Sequence, residues 1–242
     1  LVDWPQALRL ASAGRPDVRE LGRDAVRTLN NTVLLNPEEL PLLLSAVALI
    51  ENAPDLVHEV LTHSPACPGG YRPPERWSTQ ACAQTVRDVG PVAFVALRRA
   101  LLAFEEAGGL DPTLALALLG DAPQTTRRGR TLGMELFSSA LSRGAIPVVD
   151  VTRFLLGNYA EDVVVWASEH LEHAATAGKL PNEGLYRLLD TTGQAVNAFA
   201  RGLVTDHLRR FDAAELIVFC AESPDATTSG LGIQLYEREL KD

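Results

Sequence analysis

Apolar residues recur at helical spacing along most of the chain, and in its second half the pattern repeats. A bulky residue followed by a small one occurs at Leu132-Gly133, Trp166-Ala167, Phe199-Ala200 and Leu231-Gly232. The small residues are 34, 33 and 32 positions apart (133 to 167, 167 to 200, 200 to 232). Four residues after each, one turn along the same helical face, stands Phe137, Leu171, Val204 or Tyr236. The pattern predicts helices that approach a neighbour at the small residue and fill the adjoining space with the larger one.

Each repeat helix is preceded by a shorter apolar segment, which predicts a helical partner. These segments are residues 114–119, 148–156, 185–189 and 216–220. Asp111-Pro112 is typical of an N-cap followed by proline at the first helical position. Pro147 and Pro181 also lie where a first helical turn tolerates proline. The predicted unit is a helix, a short turn, a second helix and a short link.

The first half of the chain is less regular, although residues 17–29 carry the same signature. Two further hairpins are predicted, by residues 37–51 with 54–63 and by residues 77–89 with 92–107. Residues 64–76 contain four prolines and two glycines, which exclude regular structure. The predicted organisation is N-terminal hairpins over residues 1–63, a Pro/Gly-rich loop over 64–76 and one continuous repeat stack over 77–242.

Strand signals are nearly absent from the sequence. The only run of β-branched residues is Val163-Val164-Val165, and it lies inside a repeat helix, so we assign it to that helix. The predicted fold class is therefore all-α.

The chain resembles HEAT-type and armadillo-type α-solenoids. The resemblance is carried by Asp17-Val18-Arg19, Leu21-Gly22 and Val26-Arg27-Thr28-Leu29, together with the four later units. HEAT second helices often have a valine-arginine pair, then a small residue and leucines. The later units keep the apolar residues, but Val164 and Asn197 stand where the arginine is expected. The chain is also similar to segments of large bacterial repeat proteins, and we expect it to be a fragment of one.

This resemblance implies a right-handed superhelix of about six to seven antiparallel helix pairs. In such proteins the second helices line a concave face, which usually binds proteins or peptides. Each pair needs its neighbours to bury its apolar face. The last pair has no predicted successor, so we expect either further repeats or self-association at the C-terminal end.

Composition narrows the candidate partners. Hydrophobic residues make up 46% and charged residues 22%, as in ordinary globular proteins, and the formal net charge of -9 disfavours nucleic acid. Cys67, Cys82 and Cys220 form no CxxC pair, so we expect neither a disulfide framework nor a zinc site but a reducing, cytoplasmic environment. No apolar stretch approaches the 18 or so residues of a membrane span, and none is expected.

His170 and His173 are the most conspicuous candidates for metal binding or acid-base chemistry. They lie three residues apart on a repeat helix, beside Glu169 and Glu172. The HExxH spacing of zinc proteases is absent, and His170 aligns with leucines of the other repeats. The alternative interpretation is therefore a partly buried histidine that bonds to a main-chain or carboxylate group.

Two other clusters are candidates for binding. Arg127, Arg128 and Arg130 begin a repeat helix after Thr125-Thr126, where they either hold an anion or form a solvated charged face. In the Pro/Gly-rich loop and just after it, Tyr71, Arg72, Arg76 and Trp77 are of the types that anchor protein interfaces, or they belong to a packed connector.

No P-loop, GxGxxG or GxSxG motif occurs, so neither nucleotide binding nor a serine hydrolase is supported. We therefore expect a non-catalytic scaffold or adaptor that binds a protein on the concave face and needs no cofactor. The alternative is a HEAT-like nucleic-acid binder or DNA-repair glycosylase, which requires a continuous arginine stripe from Arg98 through Arg128 and Arg201 on one face.

Overall fold

The computed structural model describes residues 2–32, 79–106, 111–120 and 125–239. Within these ranges the chain forms helices joined by turns and contains no strand, which confirms the all-α class. The chain divides into two compact units, residues 1–120 with 125–140 and residues 141–242 with 121–124. The predicted loop over 64–76 and the hairpin before it lie outside the described residues.

The first unit holds α1 (Trp4–Ala11), α2 (Pro16–Thr32), α3 (Thr79–Asp88), α4 (Pro91–Glu106), α5 (Pro112–Leu119) and most of α6 (Arg127–Ser142). The side chain of Asp111 accepts the Thr113 amide at 2.8 Å, and Pro112 is the first residue of α5, so the predicted cap is confirmed. Asp3 caps α1 in the same way. Helix α1 packs on α2, and α3 packs on α5.

The second unit begins with a 3-10 turn (Val148–Thr152) that runs into α7 (Arg153–Leu156) and is followed by α8 (Glu161–Thr176). The remaining elements are α9 (Asn182–Leu189), α10 (Gln194–His207), a 3-10 turn (Leu208–Arg210), α11 (Ala213–Ala221) and α12 (Ala226–Glu239). Helix α9 pairs with α10, and α11 pairs with α12. The valine run is helical and lies inside α8, as predicted.

Two details of the second unit differ from the prediction. The segment 148–156 begins as a 3-10 turn, in which the Thr152 hydroxyl donates to the Val149 carbonyl at 2.7 Å. This local bond, and the stiffness of β-branched side chains, compete with α-helical main-chain bonding. Pro147 and Pro181 precede the first helical residue, because each is an N-cap with extended backbone.

Two of the longer helices are followed by a glycine in the left-handed backbone conformation. Gly144 follows α6 with φ 72°, and Gly178 follows α8 with φ 66°. Beyond α8, the Lys179 amide donates to the Ala174 carbonyl at 2.8 Å, which is the 6→1 hydrogen bond of a Schellman motif. Because other residues are strained in this conformation, the two glycines fix the turns that lead to the next helix.

The predicted repeat positions lie mostly in the core. Gly133, Ala167, Ala200 and Gly232 are all buried. Of the larger residues four positions later, Phe137, Leu171 and Val204 are buried, whereas Tyr236 is 56% exposed. The exposure of Tyr236 is what we expect of a last pair that has no predicted successor. The prediction is wrong for Leu21, the bulky partner of Gly22, which is 65% exposed.

The small residues mark places where paired helices nearly touch. A methyl group added to Gly22 of α2 would overlap the main chain of Ala11 in α1, and one added to Gly232 of α12 would lie 2.8 Å from the Ala221 Cα of α11. In the pair of α5 and α6, a methyl group on Gly133 would lie 2.9 Å from Leu119 Cγ. Only a residue without a side chain fits at these contacts.

Substitution of two glycines in α12 tests this contact. We expect Gly232→Ala to lower the free energy of unfolding by about 1–3 kcal/mol, because the new methyl group meets main chain that cannot move aside. Gly230→Ala, two residues earlier in open space, should instead stabilise the fold by about 0.4–1 kcal/mol by restricting the unfolded chain. Urea unfolding of both variants measures the difference, and shifts of the same sign would contradict the close contact.

Candidate functional site

The clearest candidate site is a polar cavity in the second unit, between the turn that joins α9 to α10 and the turn that joins α11 to α12. Its volume is about 710 Å³. Most of its lining residues are polar or charged, and the side chains that decide its chemistry are Gln194, Asn197, Arg201, Asp225 and Thr227. Cavities of this volume are typical of ligand sites.

Asn197 forms the buried base of the cavity and is 5% exposed. Its amide nitrogen donates to the Leu189 carbonyl at the end of α9 at 2.7 Å and lies 3.2 Å from the Thr228 hydroxyl of α12. Its amide oxygen accepts the Nε of Arg201 at 2.9 Å. Because buried polar groups need partners, this one residue of α10 holds the helix before it and the helix beyond it in register.

Asp225 stands immediately before α12 and acts as its cap. One carboxylate oxygen accepts the Thr228 amide at 2.7 Å and the Thr228 hydroxyl at 2.8 Å, and it also accepts the Thr227 hydroxyl. The hydrogen bond from Thr227, followed by those from Thr228, lowers the pKa of Asp225 to about 2, and the charge of Arg201 adds to the effect. The carboxylate is therefore ionised at any physiological pH.

Arg201 contributes the positive charge of the cavity. Its Nε is fixed by Asn197, and among the described residues no partner holds its two terminal nitrogens. A guanidinium group oriented through Nε presents its remaining donors in a fixed plane, which suits a carboxylate or a main-chain carbonyl. Together with the Asp225 carboxylate, the cavity offers donors and an acceptor to one ligand.

The arginines predicted at the start of α6 have partners in their own unit. A terminal nitrogen of Arg128 donates to the Val89 carbonyl at 3.3 Å, and its guanidinium lies 5.2 Å from the centre of the Phe94 ring. Arg130 donates to the Thr125 carbonyl at 3.0 Å, while Arg127 is exposed. The Thr126 hydroxyl accepts the Gly129 amide at 3.1 Å and so caps the helix itself. Main-chain carbonyls thus engage two of the three guanidinium groups at this position.

His170 is part of an aromatic cluster. Its Nδ1 lies 2.9 Å from the Trp166 carbonyl, and the two rings lie 4.7 Å apart. The Trp166 ring also meets Phe154 edge-on, at 5.5 Å. His173 is exposed in the last turn of α8, and the described residues contain no group of three metal-binding side chains. The contact of His170 with a main-chain carbonyl agrees with the alternative interpretation, in which His170 is a partly buried histidine.

The remaining sequence candidates fall into three groups. Tyr71, Arg72, Arg76 and Trp77 lie outside the described residues. Arg98 forms a two-point ion pair with Glu135, at 2.7 and 2.6 Å, so its charge is neutralised on the surface of the first unit. Cys220 is buried in α11, and burial raises the pKa of its thiol to about 11, as expected of a small core residue.

Reasoning from sequence missed the cavity, although one signal was present. Asn197 is a polar residue at a position where the preceding unit carries Val164, and in the sequence it stands out only for the arginine that it replaces. Its partners Leu189 and Thr228 are 8 and 31 residues away, so nothing local to Asn197 points to them.

No protein-family model, curated protein or solved structure matches the chain. Among the described helices, none combines the length and the apolar character that crossing a membrane requires.

The low pKa of Asp225 gives a testable pH dependence. A carboxyl group whose pKa falls from 3.8 to about 2 on folding stabilises the fold above pH 4, and this contribution disappears as the pH falls through 2. We expect Asp225→Asn to lower the unfolding midpoint at pH 7 and the difference from wild type to shrink between pH 4 and pH 2. Thermal unfolding across this range measures it.

The matched control is Asp206→Asn, which changes an exposed carboxylate in α10 that caps no helix. It should leave the midpoint at pH 7 nearly unchanged. If the difference in unfolding midpoint between the wild type and Asp225→Asn stays constant down to pH 2, the ionised carboxylate has no stabilising role.

Proposed function

We propose that the chain is a non-catalytic scaffold that binds a segment of a partner protein. In this proposal the helical pairs are repeats of a right-handed, HEAT-like α-solenoid, and the partner lies on the face lined by the second helices. The single observation that carries it is the polar cavity formed by consecutive pairs, with Arg201 and Asp225 held in fixed positions.

A peptide segment suits this cavity because it carries both carbonyl acceptors and amide donors. Arg201 offers donors to a carbonyl or to an acidic side chain, and Asp225 has a second carboxylate oxygen for an amide. Arginine residues placed in partly desolvated sites are frequent anchors of protein interfaces. We infer that the bound segment is polar and carries an acidic group opposite Arg201.

The chemistry of the cavity favours binding over catalysis. A general base is most effective when its pKa lies near the working pH, and the pKa of Asp225 is about 2. Its neighbours Asn197, Thr227 and Thr228 do not titrate in the physiological range. The proposal therefore assigns no reaction and no cofactor to this site.

A nucleic-acid partner has less support. The net charge of -9 repels phosphates, and two of the three arginines that such a stripe would use are engaged in other contacts. Arg98 is paired with Glu135, and Arg128 contacts Val89 and Phe94.

We also propose that the protein works in the reducing environment of the cytoplasm, because its three cysteines form no CxxC pair.

Selection from a display library of short random peptides tests the proposal. We expect the full chain to enrich peptides that carry an acidic residue or a C-terminal carboxylate. Arg201→Gln should weaken their binding by about tenfold or more, since a hydrogen bond to a charged group contributes about 1.5–3 kcal/mol. Fluorescence anisotropy with a selected peptide measures the affinities.

The control variant is Arg153→Gln, which removes an exposed arginine of α7 that does not line the cavity. Its affinity should match that of the wild type. Because Arg201→Gln also removes a partner of Asn197, its unfolding is measured in parallel. A folded Arg201→Gln variant that binds the peptides as tightly as the wild type would refute a role for the cavity.

A further inference from the structure

The polar cavity between the α9–α10 turn and the α11–α12 turn holds one positive and two negative side chains. Asp190 lines it together with Arg201 and Asp225, and no other charged residue does so in the described part of the chain. Because aspartates are ionised at neutral pH, two of them against one arginine leave the lining with a net charge of -1. An acidic group of the partner accounts for Arg201, which leaves the two carboxylates without a positive counterpart.

The opposite charges within the cavity are held apart. Arg201 acts electrostatically on Asp225, yet the two side chains form no ion pair within the described ranges. Each is anchored elsewhere, Arg201 by the amide oxygen of Asn197 at 2.9 Å and Asp225 by the amide of Thr228 at 2.7 Å. These anchors oppose a collapse of the two charges onto each other, so a ligand that enters the cavity meets both.

Asp190 is placed against the dipole of its own helix. It is the C-cap of α9, where its amide donates to the Tyr186 carbonyl at 3.0 Å, and it is exposed. The carboxyl-terminal end of a helix carries partial negative charge, so an acidic side chain is unfavourable there and a cation is favourable. Arg187, the basic residue of the same turn, is paired with Glu183 instead. Among the described residues, none forms an ion pair with Asp190.

The size of the cavity favours a segment of chain over a single small molecule of mixed charge. Its volume of about 710 Å³ lies in the range of sites that enclose ligands with several functional groups. A free amino acid carries one ammonium and one carboxylate group and fills only part of this space. A peptide segment fills more of it, because neighbouring side chains of opposite charge enter together.

We propose that the partner segment carries a lysine or arginine close in sequence to its acidic residue, and that the cavity recognises the two together. The acidic side chain contacts the Arg201 guanidinium group, and the basic side chain contacts the carboxylates of Asp190 and Asp225. This inference rests on the proposed function, because it specifies the segment that the same cavity binds. Opposite charges in fixed positions orient the segment and disfavour segments that carry only negative charge.

Two substitutions of Asp190 test the inference while preserving the fold. Because this carboxylate is exposed and opposes the dipole of α9, Asp190→Asn and Asp190→Lys should keep or raise the unfolding midpoint. The probes are peptides selected from the display library on the wild-type chain, and copies of them in which each lysine or arginine is replaced by glutamine. Fluorescence anisotropy measures the affinity of every chain for both sets.

We expect the selected peptides to carry a basic residue close to the acidic one. Asp190→Asn should weaken their binding about two- to fivefold, as for an exposed ion pair, and should leave binding of the glutamine copies unchanged. Asp190→Lys should weaken the selected peptides further and bind the glutamine copies more tightly than the originals. The control is Asp206→Asn, which removes an exposed carboxylate of α10 outside this cavity and should match the wild type.

Two results would overturn the inference and leave the proposed function in place. The first is a set of peptides that depend on Arg201 but carry no excess of basic residues. The second is equal affinity of the wild type and Asp190→Lys for the selected peptides. Two other results would remove both proposals, namely a failure of every peptide to bind, or displacement of the peptides by free alanine at comparable concentration, which would assign the cavity to a small zwitterion.

Discussion

The structure depends on a close contact between the two helices of a pair, made at one small residue of the second helix. Gly22 meets the main chain of Ala11 in the first unit, and Gly232 meets that of Ala221 in the second. Such a contact brings side chains on both flanks within reach of each other, and Val26 of the first pair and Leu235 of the last are buried. The same contact recurs in both units, and the spacing of the small residues follows from it.

A second feature builds on this apolar packing. Asn197 is buried in the pair of α9 and α10, and its hydrogen bonds reach both the end of α9 and the start of α12. A buried amide with every partner present specifies one arrangement of the helices, because any shift leaves a polar group unpaired. Asn197 also fixes Arg201, so the residue that orders the core also orients the guanidinium group of the cavity.

Several parts of the fold were predictable because their signals are local. Asp111-Pro112 begins α5 by a cap and a restricted backbone angle, both of which are properties of adjacent residues. The valine run was assigned correctly because its neighbours follow helical spacing. The burial of Ala167 and Ala200 followed from the repeat itself.

Other features depend on residues far away in the chain. Arg128 bonds to Val89, 39 residues earlier, and Asn197 approaches Thr228, 31 residues later. Neither contact leaves a pattern near the residue itself. Local patterns therefore identified the helices, whereas the site required the tertiary structure.

The contact between paired helices can be measured most directly by nuclear magnetic resonance in solution. The structure places the Gly232 α-protons against Ala221 and the Gly22 α-protons against Ala11, so nuclear Overhauser contacts are expected for both glycines. Contacts at both sites would show that the two helices of a pair pack in the same way in both units. Their absence, with the helices intact by chemical shift, would contradict the close approach on which this account of the fold rests.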